Sequence, residues 1–272
     1  IVSPRVSFLY NFIENTQFRA TWGTGFRAPQ AFDTDLHIAF AGGGISRVTL
    51  ANNLKQERSN SFNFSLNYDK PTEHYIYGFT VESFYTHLDD AFYLHPLGKR
   101  NGAGATVKGI TLEARFNYDQ IFQIETGFTF QKSLFDEPIE NSDVLPLKRE
   151  FLRTPNNYGY ATLTYTPNLK FNTSLNIVYT GEMDILHLAS PGNLTSDTYF
   201  TSPSFTEVGI KSSYKFHLDN LKTSIELLGG IKNMFNAYQT DFDRGKERDS
   251  NYIYGPATPR TYFIGLKFSP NF

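Results

Sequence analysis

Two acidic stretches carry residues suited to holding a cation. Asp33 and Asp35 open one of them, AFDTDLHIAFAGGG (31–44), and DFDRGKERD (241–249) repeats the D-x-D start. Carboxylate oxygens so placed suit a hard cation such as Ca2+. Neither stretch completes the D-x-[DN]-x-[DN]-G pattern, so a solvated acidic loop is the plainer reading, and no metal ligand and no resident cofactor are assigned. His37 lies in the first stretch, and imidazole is a usual axial ligand of haem iron. The other histidines, His74, His87, His95, His187 and His217, show no metal-ligand spacing. Aromatic rings gather in the same kinds of segment: Tyr199, Phe200, Tyr238, Phe242, Tyr252 and Tyr254. Their faces can stack on an aromatic or macrocyclic ligand, or pack on one another. For hydrolysis, THLDD (86–90) supplies His87, Asp89 and Asp90. No G-x-S-x-G or His-x-Ser element accompanies it, so no catalytic residue is assigned.

The elements that must position these residues are strands. The 272-residue chain has a mean hydropathy of -0.38. It has no apolar run of about 18 residues, which excludes a helical membrane protein. Charged residues are 19%, below the roughly 25% of a soluble domain, while aromatics reach 16%. A polar average rich in rings fits a membrane barrel, where only alternate residues need be apolar. The net charge of -2 argues against a nucleic-acid partner. There is no Cys, hence no disulfide or thiolate site. Alternation predicts eleven strands, near 5–12, 16–24, 57–68, 75–88, 107–118, 121–132, 158–166, 169–180, 205–216, 221–233 and 260–271. Many are long enough to cross a bilayer at a tilt, which takes about 9–11 residues.

The connections alternate. Short ones fall at 14–16, 69–74, 119–120, 166–168 and 217–220. Long ones, read as structureless, fall at 25–56, 89–106, 133–157, 181–204 and 234–259. Short periplasmic turns opposite long external loops are the asymmetry of outer-membrane barrels. Tyr10, Phe12, Phe18, Tyr68, Tyr75, Tyr77, Phe116, Tyr118, Phe122, Tyr165, Phe171, Tyr214 and Phe216 flank the short turns. β-propensity alone could place rings on strands, but their recurrence at the short-turn ends favours a belt at the headgroup level. The fold expected is an all-β, transmembrane, antiparallel up-and-down barrel. Residues 1–272 would form its C-terminal half, eleven strands of about 22. Two open edges cannot stand in lipid, so strand parity puts an odd number of further strands upstream or in another copy. The opening IVSPRVSFLY carries no signal-peptide pattern.

Several stretches resemble one family. GTGFRAPQAFD (23–33), followed by NNLKQERSNSFNFSLNY (52–68), is similar to the FRAP motif and the N-x-x-L-K-P-E-x-S segment of TonB-dependent outer-membrane receptors, with Gln56 in place of the usual Pro. GIKNMFNAYQ (230–239) and GPATPRTYFIGLKF (255–268) resemble its closing segments. VKGITLEARFNY (107–118) fits a K-G-x-E-x-E strand in part, with Thr111 for the first Glu. The last strand, TYFIGLKFSPNF, resembles the C-terminal signal read by the barrel assembly machinery, with Phe268 and Phe272 on its apolar face. Arg27 and Glu57 stand where the first hairpin meets its external loop, spaced to brace the loop base.

The resemblance implies a bacterial outer-membrane importer, not an enzyme. The cargo would be a scarce bulky nutrient: a ferric siderophore, haem or a cobalamin-like corrinoid. Transport would be active, driven through TonB of the inner-membrane complex acting on a plug domain that this chain does not show. External loops would hold a small metal chelate, with a surface lipoprotein as a further partner in some relatives. Family haem receptors place an iron-ligating His in the interval where His37 lies, and some members order loops with Ca2+. The rivals are a passive porin, an outer-membrane hydrolase and a soluble β-sandwich.

Overall fold

The computed structural model describes residues 2–29, 51–95, 98–218 and 222–270. Sixteen strands appear: β1 Arg5–Ile13, β2 Thr16–Arg27, β3 Glu57–Pro71, β4 Tyr75–Asp89, β5 Phe92–His95, β6 Gly98–Asn101, β7 Gly104–Tyr118, β8 Phe122–Ile139, β9 Lys148–Glu150, β10 Asn157–Asn168, β11 Phe171–Thr180, β12 Asp184–His187, β13 Thr198–Thr201, β14 Phe205–Leu218, β15 Thr223–Lys232 and β16 Thr261–Pro270. Eleven of them pair in order as one antiparallel sheet, β1-β2-β3-β4-β7-β8-β10-β11-β14-β15-β16. These are the eleven strands the alternation predicts. The sheet is open, a sector of a barrel, with β1 and β16 at its edges. Ten antiparallel steps separate the edges, so β1 and β16 run the same way. Antiparallel closure therefore takes an odd number of further strands; a second copy in the same membrane orientation would meet either edge parallel.

The register carries the apolar face unbroken across the sheet. One row runs Tyr77, Phe116, Ile124, Leu163, Leu175, Ile210, Ile231, Tyr262, each facing the next across a strand pair. A neighbouring row on the opposite face runs Asp69, Gly78, Arg115, Glu125, Thr162, Asn176. Side chains alternate across a strand, so a one-residue slip would exchange the two faces. The apolar face meets lipid and the polar face lines the lumen, as in outer-membrane barrels. Inside, Arg115 Nε donates to Asp69 Oδ1 at 2.5 Å, reaching over Gly78 on the strand between them. A Cβ at Gly78 would lie only 2.5 Å from the Tyr68 carbonyl, so this crossing requires glycine.

The short turns sit at one end. Asp119 and Gln120 both have positive φ, and Ile121 N donates to Tyr118 O at 2.8 Å. Two left-handed residues match the twist of a two-residue hairpin. Exposed rings border these turns: Tyr10, Phe12, Tyr75, Tyr77, Tyr118, Tyr165, Tyr214 and Phe216. Tyr75 packs at a tilt against Tyr118 and Tyr214 against Phe216.

At the other end the expectation of structureless loops is wrong. The hairpins β5-β6 and β12-β13 fill the second and fourth long connections, and β9 adds to β8 in the third. The wall also overshoots the lipid: β8 runs for 18 residues, beyond the predicted end near 132. Ladder hydrogen bonds still stabilise a strand in water, so the sheet continues where the apolar pattern stops.

Candidate functional site: the external cap

The external connections form a cap held by its own core. Leu88, Ala105 and Phe135 lie on the lumenal face by register. Ala91, Ala105, Phe135 and Ile139 are buried there, with Leu88, Tyr93 and Phe151 against them. The cap thus begins on the inner side of the wall. Phe92 of the β5-β6 hairpin is fixed to the wall by Glu57, whose Oε2 accepts from Phe92 N at 3.0 Å. Arg27 Nε stands 3.5 Å from Glu57 Oε1, and its guanidinium lies 4.9 Å over the Phe92 ring. Arg27 and Glu57 therefore meet at the loop base as register partners of β2 and β3.

Polar contacts then join loop to loop. His95 Nε2 and Glu140 Oε2 are 2.9 Å apart, linking the second and third connections. Lys148 Nζ donates to Asp184 and lies 4.5 Å over the Tyr199 ring, linking third and fourth. The Tyr199 hydroxyl donates to Pro146 O at 3.0 Å. Ser142 Oγ donates to Asp197 Oδ2 at 2.5 Å. Arg153 Nη1 reaches Ile253 O at 2.6 Å, linking third and fifth.

The tightest joint is between fourth and fifth. The His187 ring stacks on Tyr252 at 3.6 Å with planes 8° apart. Its Nε2 lies 3.0 Å from Asp243 Oδ1. Asp243 Oδ2 also accepts from Ser190 Oγ at 3.1 Å and from Asp249 N at 3.0 Å. Burial raises the Asp243 pKa, but these donors, with the Asp249 N–H first, hold it below the ordinary carboxylate range. An ionised Asp243 only accepts, so His187 donates through Nε2. Asp241 takes the hydroxyls of both Tyr252, at 2.9 Å, and Tyr254. Burial works to raise its pKa too, and the Tyr254 and Tyr252 hydrogen bonds overcome it. In return, burial and then the hydrogen bonds to Asp241 push Tyr252 up to about 12 and Tyr254 further.

These placements answer several sequence expectations. Asp33, Asp35, His37 and Phe272 lie outside the described residues. Phe268 is exposed on β16. Tyr252 is 5% exposed, and its face and hydroxyl are engaged within the cap. Tyr254 packs against Phe200 and Phe205. Tyr199 and Tyr238 are half-buried, and Phe242 is exposed. The D-x-D carboxylates of 241–249 face protein donors, and among the described residues no group of three or more His, Asp or Glu could hold a metal.

Sequence reasoning passed over His187. The only local signal was the Pro191-Gly192 turn dipeptide between the apolar pairs Ile185-Leu186 and Tyr199-Phe200, where Gly192 has φ +80.

The cap has Ser, His and Asp together but not as a hydrolase uses them. Ser190 and His187 both donate to Asp243, leaving no Ser–His bond to activate the hydroxyl. His87, the other candidate, has Nδ1 3.2 Å from Thr106 Oγ1 and Nε2 3.4 Å from Asp89.

A lipid-facing sector, an inner polar wall and a loop cap over one end define an outer-membrane β-barrel. The chain belongs to the TonB-dependent receptor family: the family model described as TonB dependent receptor-like, beta-barrel, matches residues 1–234. It is thus a bacterial outer-membrane protein. No curated protein matches the chain. Solved structures share its fold. The ferric-catecholate import receptor Fiu of E. coli K12 has a TM-score of 0.64 at 15% identity, over 96% of this chain and 34% of that one. FpvA of P. aeruginosa, solved with an iron pyoverdine, scores 0.66 at 12%, over 97% and 32%. The siderophore receptor PiuA of Acinetobacter baumannii scores 0.65 at 14%, over 97% and 35%. The chain spans about a third of the length of these structures.

Proposed function

We propose that this sector belongs to an importer that takes up a ferric siderophore by TonB-dependent active transport. The observation that carries the reading is the cap: buried, cross-linked loops that begin on the lumenal face of a polar wall. A passive pore does not need loops folded inward around a core. The siderophore receptors that share the fold favour an iron chelate over haem or a corrinoid. The reading makes the protein a carrier of its ligand, with no covalent chemistry of its own. External loops would bind the chelate, and TonB, acting on a plug outside this chain, would supply the work.

The test is uptake of radiolabelled ferric siderophores by cells expressing the full-length receptor. Accumulation should depend on the receptor, and should stop when TonB is deleted or the proton gradient is collapsed. Flux that survives both treatments sinks the active-import reading and leaves the porin.

A further inference from the structure

A polar cavity of roughly 440 Å3 lies between the return of the first external loop and the β5-β6 hairpin, lined by Asn53, Lys55, Asp90, Arg100 and Asn101 among others. Its size is within the range of small-molecule sites. Its frame is built. Asn101 Oδ1 accepts from Lys55 N at 2.8 Å, and its Nδ2 donates to Asp90 O at 2.6 Å and Lys55 O at 3.1 Å. Ala51 N donates to Lys99 O at 3.2 Å, closing the loop onto the hairpin. The charges within that frame are unequal. Lys55 Nζ is 3.5 Å from Asp90, an exposed pair of little strength. The Arg100 side chain, half-buried, forms no hydrogen bond or ion pair with another described residue, while its backbone pairs with Tyr93 in the hairpin. Among the described lining residues, two cations and one carboxylate leave a net positive charge, and the five guanidinium donors of Arg100 meet no described acceptor.

We propose that this cavity is an oxyanion subsite for the cargo, with Arg100 gripping a carboxylate of a small chelate and Lys55 turning from Asp90 to assist. A planar guanidinium fork matches a carboxylate in two parallel hydrogen bonds. The β5-β6 hairpin hangs from Glu57 and Arg27 on the lumenal face, so an anion held here stands at the mouth on the transport side. The subsite rests on the import reading for its biological cargo but not for its chemistry.

The test is calorimetric titration of the detergent-solubilised full-length receptor with citrate and, separately, inorganic phosphate, at low and high salt. Citrate should bind the parent saturably, more tightly than phosphate, and more weakly at high salt. Arg100→Gln should weaken citrate by about tenfold or more, the scale of a charged hydrogen-bond pair. Arg100→Lys should lose less, and Lys55→Gln less than Arg100→Gln. Far-ultraviolet circular dichroism checks that each variant remains a folded barrel. No saturable citrate binding to the parent, or equal affinity in Arg100→Gln, overturns the proposal. A companion uptake assay separates the two readings. If import is TonB-dependent but carboxylate-bearing chelates enter equally with Arg100→Gln, the subsite fails and import stands. If no chelate is imported while citrate binds through Arg100, import fails and the subsite stands.

Discussion

The wall and the cap obey the same rule of alternation in two different solvents. In the wall the large apolar side chains are the exposed ones, such as Phe64, Phe79, Ile110, Ile264 and Leu266. In the cap a set of them turns inward instead, Phe92, Ile139, Ile185 and Tyr252, while others such as Leu94, Val144 and Phe242 stay exposed. The wall gets its order from a ladder of backbone pairs and turns its rings toward lipid. The cap closes around a small core and pairs most of its buried polar groups with one another, as the His187–Asp243–Ser190 cluster does, with Asn251 Oδ1 an exception. Side-chain identity therefore weighs differently in each: a polar group is harmful on the lipid face, and a lost ring is harmful in the cap.

The largest expected effect is in the cap. Tyr252→Ala removes the ring stacked on His187 and the donor to Asp241. Truncating a buried aromatic costs about 3–5 kcal/mol, and the loss should stay local. Hydrogen exchange should speed up by orders of magnitude across 184–201 and 239–254 while β7, β8 and β10 stay protected. Uniform loss of protection would mean that cap and wall unfold as one unit.

The wall makes the opposite demand. Leu175 and Asn176 are neighbours on β11, the first facing Leu163 and the second facing Thr162 on the lumenal side. Leu175→Arg should cost about 2–4 kcal/mol in lipid vesicles, the scale for Arg on a lipid face near the midplane. Asn176→Arg should cost far less. Urea unfolding of the full-length barrel in vesicles measures both, and equal costs would contradict the assignment of faces.

The two regions also differed in legibility. All eleven wall strands could be read because the apolar period persists for nine or more residues and a slip would put charges such as Glu125 into lipid. The Asp119-Gln120 turn was legible for the same local reason. The cap hairpins were not, because β5, β6, β12 and β13 are four residues each, too short for a period to stand out. Their pairing depends on long-range partners, such as Glu57 for Phe92. The loop tyrosines were legible as a cluster, but the cluster did not say whether they face a ligand or each other. In the structure, Asp241 draws Tyr252 and Tyr254 together.

Titration should separate cap from wall less sharply. Asp184, Asp241 and Asp243 are held below the ordinary value of 3.8 in the folded cap. The unfolded cap binds protons first as pH falls, so their contribution is full above about 4 and is lost below it. Tyr252 is raised from 10.0 to about 12, so the folded cap holds its proton longer, and stability declines from pH 10 upward. The protection factor of 184–201, that is exchange corrected for its intrinsic pH dependence, should be flat across neutral pH and fall on both flanks. Asp241→Asn should shrink the alkaline flank without abolishing it, since burial raises the phenols first and the carboxylate adds to it. An alkaline flank unchanged in Asp241→Asn would break the link between that carboxylate and the two tyrosines.

The smallest effect belongs to the joint between the regions. Arg27 and Glu57 form an ion pair with Arg27 about half exposed, and such pairs contribute roughly 0.2–1 kcal/mol. Arg27→Gln should therefore change the stability of the β5-β6 hairpin only slightly, mainly through its stacking on Phe92. Glu57→Ala should cost more, because it also strips the acceptor from Phe92 N and leaves that donor facing a mostly buried ring. Exchange at the Phe92 amide reads this directly. A larger effect from Arg27 than from Glu57 would mean that the cap is held to the wall by charge and stacking on the guanidinium, rather than by the carboxylate's bond to the hairpin backbone.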